Sequence, residues 1–170
     1  DVSLRSGWFY HASQQPKSLA DLLDIYMDSV GRGTPLLLNV PPTKEGLLAE
    51  EDVQRLQEFH QVISDLYTEN LAFLAKVSCS NEKEGFPSSY LTDGREDTFW
   101  APASDESAYV LEIDMGQTRS FNLVEIREPI TKGQRIAGFT LEVKQENGWT
   151  VFARGQTIGY KRLLLGEMVE

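Results

Sequence analysis

Two short runs combine side chains able to contact a ligand with a backbone pattern that would present them. The first is Gly7-Trp8-Phe9-Tyr10-His11, in which Tyr10 and His11 offer hydrogen bonds beside an indole. The second, Leu36-Leu37-Leu38-Asn39, is apolar until its last residue. Both read as short strands, and polar side chains stand only where they end, at His11 and Asn39. Ligands in parallel sheets and barrels sit at the carboxyl ends of strands, so these ends are where chemistry is expected. Side chains alternate along a strand, so one of each adjacent pair within 8–11 faces away from that site.

Other chemistry finds little support. Gly31-Arg32-Gly33 lacks the Lys and Ser/Thr of a phosphate loop and the spacing of a dinucleotide site. His11 and His60 are too far apart to form a metal pair on one element, and His60 reads as a solvated helix position. The single cysteine, Cys79, has no partner for a disulfide and no Cys/His spacing for zinc. No Ser or Cys nucleophile has an identifiable base. Glu50, Glu51 and Asp52 read as the acidic start of a helix rather than a catalytic pair. Arg5 reads as a structural or surface ion-pair partner, with stabilisation of a site carboxylate as the alternative. Asn39 reads as a cap on the loop backbone.

The elements that must position these residues follow from periodicity. Ser18 with Asp21 three positions on is an N-cap signature, and Leu19, Leu22, Leu23, Tyr26, Met27 and Val30 make one apolar stripe over 18–30, ended by Gly31 and Gly33. Pro41, Pro42 and Gly46 form a loop after the second strand. Val53, Leu56, Phe59, Ile63 and Leu66 then mark a second helix ending near Tyr67. Strand, helix, strand, helix predicts parallel strands with crossover helices, and the consecutive leucines predict a strand covered on both faces. From Asn70 the period becomes two: Tyr109, Leu111 and Ile113 alternate with Val110, Glu112 and Asp114, and Phe139, Leu141 and Val143 with Thr140, Glu142 and Lys144. Asn147-Gly148 predicts a tight hairpin turn with positive φ at both central residues. The expectation is α/β followed by all-β, with domains at 1–67 and 70–170 and a short polar linker, Thr68 to Asn70.

At 170 residues, 41% hydrophobic and 25% charged, the composition is that of globular proteins. A formal charge of −10 repels a phosphate backbone, which argues against nucleic acid and anionic membrane surfaces as partners. No apolar run approaches the roughly 20 residues of a membrane span. The chain starts without Met and inside a pattern, so it reads as the interior of a longer protein. The lone cysteine does not indicate a compartment.

Longer motifs carry two resemblances. DVSLRSGWFYH, KSLADLLDIYMDSVGRG and PLLLNVPPTKEGLLAEEDVQRLQEF closely resemble the end of the catalytic barrel of family 29 α-L-fucosidases, in the branch of bacterial and plant α-1,3/1,4-fucosidases. NLAFLAKVSCS, YLTDGREDTFW, YVLEIDMGQTRSFNLVEIREPITKGQRI and TIGYKR resemble a discoidin-type sandwich (F5/8 type C, carbohydrate-binding), which commonly follows that barrel. The resemblance implies the last two βα units of a (β/α)8 TIM-like barrel, then an antiparallel β-sandwich whose closing strands, after TIGYKR, are incomplete here. It implies a retaining exo-glycosidase that removes terminal α-L-fucose, acts on fucosylated oligosaccharides or glycoproteins, and is secreted, periplasmic or apoplastic. The nucleophilic Asp and acid/base Glu are expected upstream of Asp1, and no cofactor is expected for catalysis.

For this chain the resemblance assigns substrate contacts to Trp8, Tyr10 and His11, with Trp8 packing on the fucose ring or its methyl group and a core aromatic as the alternative. A structural Ca2+ ion is implied in the loop that matches LTDGREDTFW, with Asp93, Asp97 and Thr98 as ligands; an ordinary Asp-Gly turn is the alternative, and Arg95 opposes a cation there. A different class of function is a carbohydrate-binding or adhesion module without catalysis, using Phe99, Trp100 and Tyr109. The barrel-end motifs ahead of the sandwich favour the enzyme, since a pure binding module has no need of them.

Overall fold

The structure, a computed structural model, describes residues 1–169 and separates into two compact units. The first comprises Asp1–Thr68 with Glu125–Arg127 and Ile158–Leu164; the second comprises Glu69–Val124, Glu128–Thr157 and the remainder from Leu165.

In the first unit β1 (Val2–Ser3) pairs in parallel with β2 (Leu38–Asn39), Val2 opposite Leu38 and Ser3 opposite Asn39. Between them runs α1 (Leu19–Asp28), the crossover a parallel pair requires. Its capping box is formed as the sequence predicts: the Asp21 amide donates to Ser18 Oγ at 3.1 Å and the Ser18 amide to Asp21 Oδ2 at 3.2 Å. Leu22 on its apolar stripe is fully buried. The helix ends two residues before Val30, in a 3-10 turn (Val30–Arg32) closed by Gly33 at φ 79°. A Cβ there would lie 3.2 Å from the Lys161 amide nitrogen, so glycine answers both the left-handed backbone and the close approach. The second helix, α2 (Glu50–Leu66), carries Phe59, which meets the Tyr26 ring of α1 edge-on at 6.1 Å.

Two expectations change here. Gly7 to His11 is not a strand: the ladder ends at Ser3, and the following residues bend away. The Ser3 hydroxyl donates to the Gly7 carbonyl at 2.8 Å, a local bond that turns the chain back on itself. Nor is the Leu36–Asn39 run buried on both faces. β2 has two residues, Leu37 is 66% exposed, and a two-stranded pair cannot cover both sides of its own backbone.

The second unit is sheet-rich. β3 (Lys76–Cys79) runs antiparallel to β4 (Leu111–Asp114), β5 (Phe121–Ile126) pairs with β8 (Arg162–Val169), and β6 (Gly138–Gln145) forms a hairpin with β7 (Gly148–Gln156). The two-residue period holds cleanly in β6, where Phe139, Leu141 and Val143 are half-buried between exposed neighbours. It does not hold in β4, whose four side chains are all exposed, and Tyr109 precedes the strand. The hairpin turn also differs: Glu146 and Asn147 are its central residues, and neither has positive φ. Gly148, at φ 111°, opens β7 and supplies the left-handed residue after the turn rather than within it. A register shift opposite Leu141 and Glu142 leaves Phe152 unpaired in β7, where its ring meets Phe121 at 5.6 Å and lies against Gly166.

Candidate functional site

The loop after β1 is built around Arg5, a charged side chain that is completely buried. Its Nε donates to both oxygens of Asp52, at 3.0 and 2.9 Å, and Nη2 donates to Glu51 Oε1 at 2.8 Å. Nη1 donates to the Gln14 carbonyl and reaches the His11 carbonyl at 3.5 Å. The guanidinium carbon lies 4.8 Å from the centre of the Tyr10 ring. The Asp52 carboxylate, more than any other contact, raises the Arg5 pKa, and the guanidinium lowers that of Glu51. Both carboxylates accept hydrogen bonds from this one cation. Arg5 is thus a structural ion-pair partner, and Asp52 is its buried counter-charge as well as a first-turn acid of α2.

Asn39 at the end of β2 ties the other side of the loop: its Nδ2 donates to Ser3 Oγ at 3.0 Å and to the Trp8 carbonyl at 3.1 Å. Lys17 Nζ donates to the carbonyls of Ser3 and Arg5 at 2.6 and 3.2 Å. The backbone is held while the side chains point outward: Trp8 is 53% and Phe9 79% exposed. Tyr10 and His11 line an open cleft of about 400 Å³ with Ala12, Lys44 and Glu45. The last two sit on a turn whose Gly46 amide donates to the Thr43 carbonyl at 3.0 Å, with Gly46 at φ 79°. Lys44 and Glu45 were not among the residues read as functional. The signal was present, since Pro41, Pro42 and Gly46 mark a loop leaving a strand's carboxyl end. The arrangement offers an indole face at the surface, then a phenol and an imidazole beside a cleft. His60 lies exposed on α2, as its helical position suggests.

In the second unit, Asp93 and Thr98 converge: Thr98 Oγ1 donates to the two Asp93 oxygens at 3.0 and 2.8 Å, and the Arg95 amide donates to Oδ1 at 2.9 Å. Asp97 does not join them. Its oxygens accept from Arg95 Nε and Nη2 at 3.1 and 2.9 Å, which lowers its pKa and raises that of Arg95. No group of three or more His, Cys, Asp or Glu side chains among the described residues converges on a metal position. Phe99 stacks on Phe86 at 4.8 Å and Trp100 meets Tyr109 edge-on at 5.5 Å. The Tyr109 hydroxyl accepts from the Glu106 amide and donates to the Ser104 carbonyl. No helix among the described residues is long and apolar enough to cross a membrane.

Comparison with known proteins gives two family matches in order along the chain, Alpha-L-fucosidase over residues 1–65 and F5/8 type C domain over residues 76–162. The chain is 43% identical over 171 residues to Alpha-L-fucosidase 1 of Arabidopsis thaliana, covering 96% of this chain and 34% of that protein. It therefore spans about a third of the length of the curated relatives it matches. Among solved structures, SpGH29 superposes with a TM-score of 0.93 at 48% identity, over 99% of this chain and 37% of that one. A GH29 fucosidase of Ruminococcus gnavus, solved in complex with fucose, superposes with a TM-score of 0.88 at 33% identity, over 99% of this chain and 35% of that one.

Proposed function

We propose, from the premise that this chain belongs to the α-L-fucosidase family and continues into an F5/8 type C domain, that it is the C-terminal region of a retaining exo-glycosidase releasing terminal α-L-fucose, α-1,3/1,4-linked, from glycans. In that enzyme residues 1–67 form the last two βα units of a (β/α)8 barrel and residues 70–170 a discoidin-type antiparallel sandwich. The substrates are fucosylated oligosaccharides or glycoproteins, met outside the cytoplasm. The observation that carries the reading is the outward-facing Trp8, whose carbonyl is held by Asn39 where β1 and β2 end together. Fucose is a deoxy sugar, and its methyl group calls for such an apolar plane.

Retention needs two carboxylates roughly 5 Å apart, one attacking the anomeric carbon and the other acting as acid and then base. Those groups belong to barrel segments preceding this one. The residues of this chain bind and orient: Trp8 covers the apolar side of the ring, and Tyr10 and His11 hydrogen-bond its hydroxyls from the cleft. The test is hydrolysis of an aryl α-L-fucoside or a branched Lewis-type glycan by the full-length protein with the anomer followed by NMR. Retention is expected, and inversion would exclude the mechanism. Trp8→Ala should cost about 1–3 kcal/mol of binding or turnover, the range for losing a pocket's apolar contact. Unchanged kinetics at unchanged stability would remove the contact.

A calcium ion in the second unit would take oxygens from Asp93 and Thr98, the two side chains that converge, with loop carbonyls completing a shell of six to eight ligands. Asp97, committed to Arg95, is not a ligand in this arrangement. Millimolar calcium should raise the melting temperature of the intact protein, since a ligand of the folded state alone stabilises it. Asp93→Ala should abolish that shift and Asp97→Asn preserve it; no shift in the unaltered protein removes the ion.

A further inference from the structure

The stretch 7–14 has no regular secondary structure, yet it carries all three residues assigned to the sugar. Among the described residues, its side-chain ties to the rest of the unit come from Ser3 at Gly7, Asn39 at Trp8 and, farther on, from Arg5 at Tyr10, His11 and Gln14. We propose that Arg5 is a positioning residue of the substrate loop. It acts through the Tyr10 ring and the carbonyls of His11 and Gln14, with Asp52 and Glu51 fixing its own orientation. The proposal rests on the reading of 7–11 as the sugar-facing segment.

The geometry separates this role from that of a simple ion pair. A guanidinium has five N–H donors in a rigid plane. Here the Nε edge is spent on Asp52 and Nη2 on Glu51, both from the first turn of α2, while Nη1 faces the loop. The plane is thereby set by the helix, and its remaining edge and face set the loop. The start of α2 fits the same account, because its N-cap, Ala49, makes no side-chain cap and two of its three first-turn acids, Glu51 and Asp52, turn to Arg5 instead. A lysine at position 5 could neutralise Asp52 but, as a point charge with no fork and no flat face, could not also hold the carbonyls and stack on Tyr10. A loop held in its bound shape before the sugar arrives binds it more tightly, so the effect belongs in binding rather than in the chemical step.

The experiment uses the full-length protein with Arg5→Lys and, because Glu51 is 41% exposed, Glu51→Ala as the variant expected to keep its fold. Hydrogen exchange followed by mass spectrometry should show peptides spanning 7–14 exchanging about ten-fold faster in the variants, while the interior of α2 is unchanged. With an aryl α-L-fucoside, KM should rise about three- to ten-fold with kcat within about two-fold, the pattern of lost uniform binding. Unchanged exchange at 7–14 in a folded variant overturns the proposal. Exchange raised equally in α1 and α2 overturns it too, since that marks a general loss of stability. If the unaltered protein cleaves neither the aryl fucoside nor a branched Lewis-type glycan, the proposed function falls, and the exchange measurement still decides whether Arg5 holds the loop.

Discussion

Arg5 with Asp52 in the first unit and Arg95 with Asp97 in the second make contacts of the same length, 2.9 Å, in opposite surroundings. Both side chains of the first pair are completely buried, while those of the second are 63% and 72% exposed. The partners of the first are 47 residues apart and those of the second two. Equal geometry therefore carries unequal consequences. A buried charge stripped of its partner keeps the full cost of desolvation, whereas an exposed one returns to water. The first pair can hold a loop in place because neither member can return to water; the second shapes its own turn and diverts Asp97 from Asp93.

The largest effect that would sharpen the comparison is Asp52→Ala, which leaves the buried Arg5 cation with only the part-exposed Glu51 as counter-charge and should cost about 3–5 kcal/mol, read as a fall in the denaturant midpoint of the full-length protein. Replacing Arg5 and Asp52 together by apolar side chains of similar volume should recover much of that loss; equal damage from single and double variants would mean that packing, not charge, sets the cost. An intermediate effect is expected on acidification. Arg5 holds the Glu51 carboxyl below its ordinary value of 4.5, so its contribution is complete above that value and disappears as pH falls through the lowered one. The melting-temperature gap between the unaltered protein and Glu51→Gln should be open near about pH 6 and narrow as the pH falls through and below the ordinary carboxylate range. A gap independent of pH would assign Glu51 a packing role. The smallest effect is that of Arg95→Ala, which should leave the melting temperature unchanged within error even at low salt. A clear loss there would break the comparison.

Local patterns were legible. The capping box at Ser18 and Asp21, the glycine stop at Gly33, the reach of the second helix to Leu66 and the alternation along β6 depend on residues within a few positions of each other, and each is formed. The hairpin was legible as a hairpin but not in its turn, because Gly148 satisfies the left-handed requirement one residue later than a two-residue turn with Asn147 would place it. Around the candidate site less could be read. Gly7 to His11 has the composition of a strand, and only the Ser3–Gly7 and Asn39–Trp8 bonds reveal that it leaves the ladder. The Lys44–Glu45 turn joins the cleft by its position in space, which no spacing along the chain specifies.

By itself, then, the order of residues determined the two helices, the capping box of the first, the change of period after Asn70 and, through long motifs, the resemblance to the matched families. Tertiary structure alone decided that Arg5 is buried, that Asp52 is its counter-charge rather than one more first-turn acid, and that Trp8 faces outward. The physical reason is range. A cap or an amphipathic stripe is satisfied within one or two turns of chain, but a buried charge is tolerable only once a partner from a distant segment has closed on it, and no local pattern announces which segment that will be.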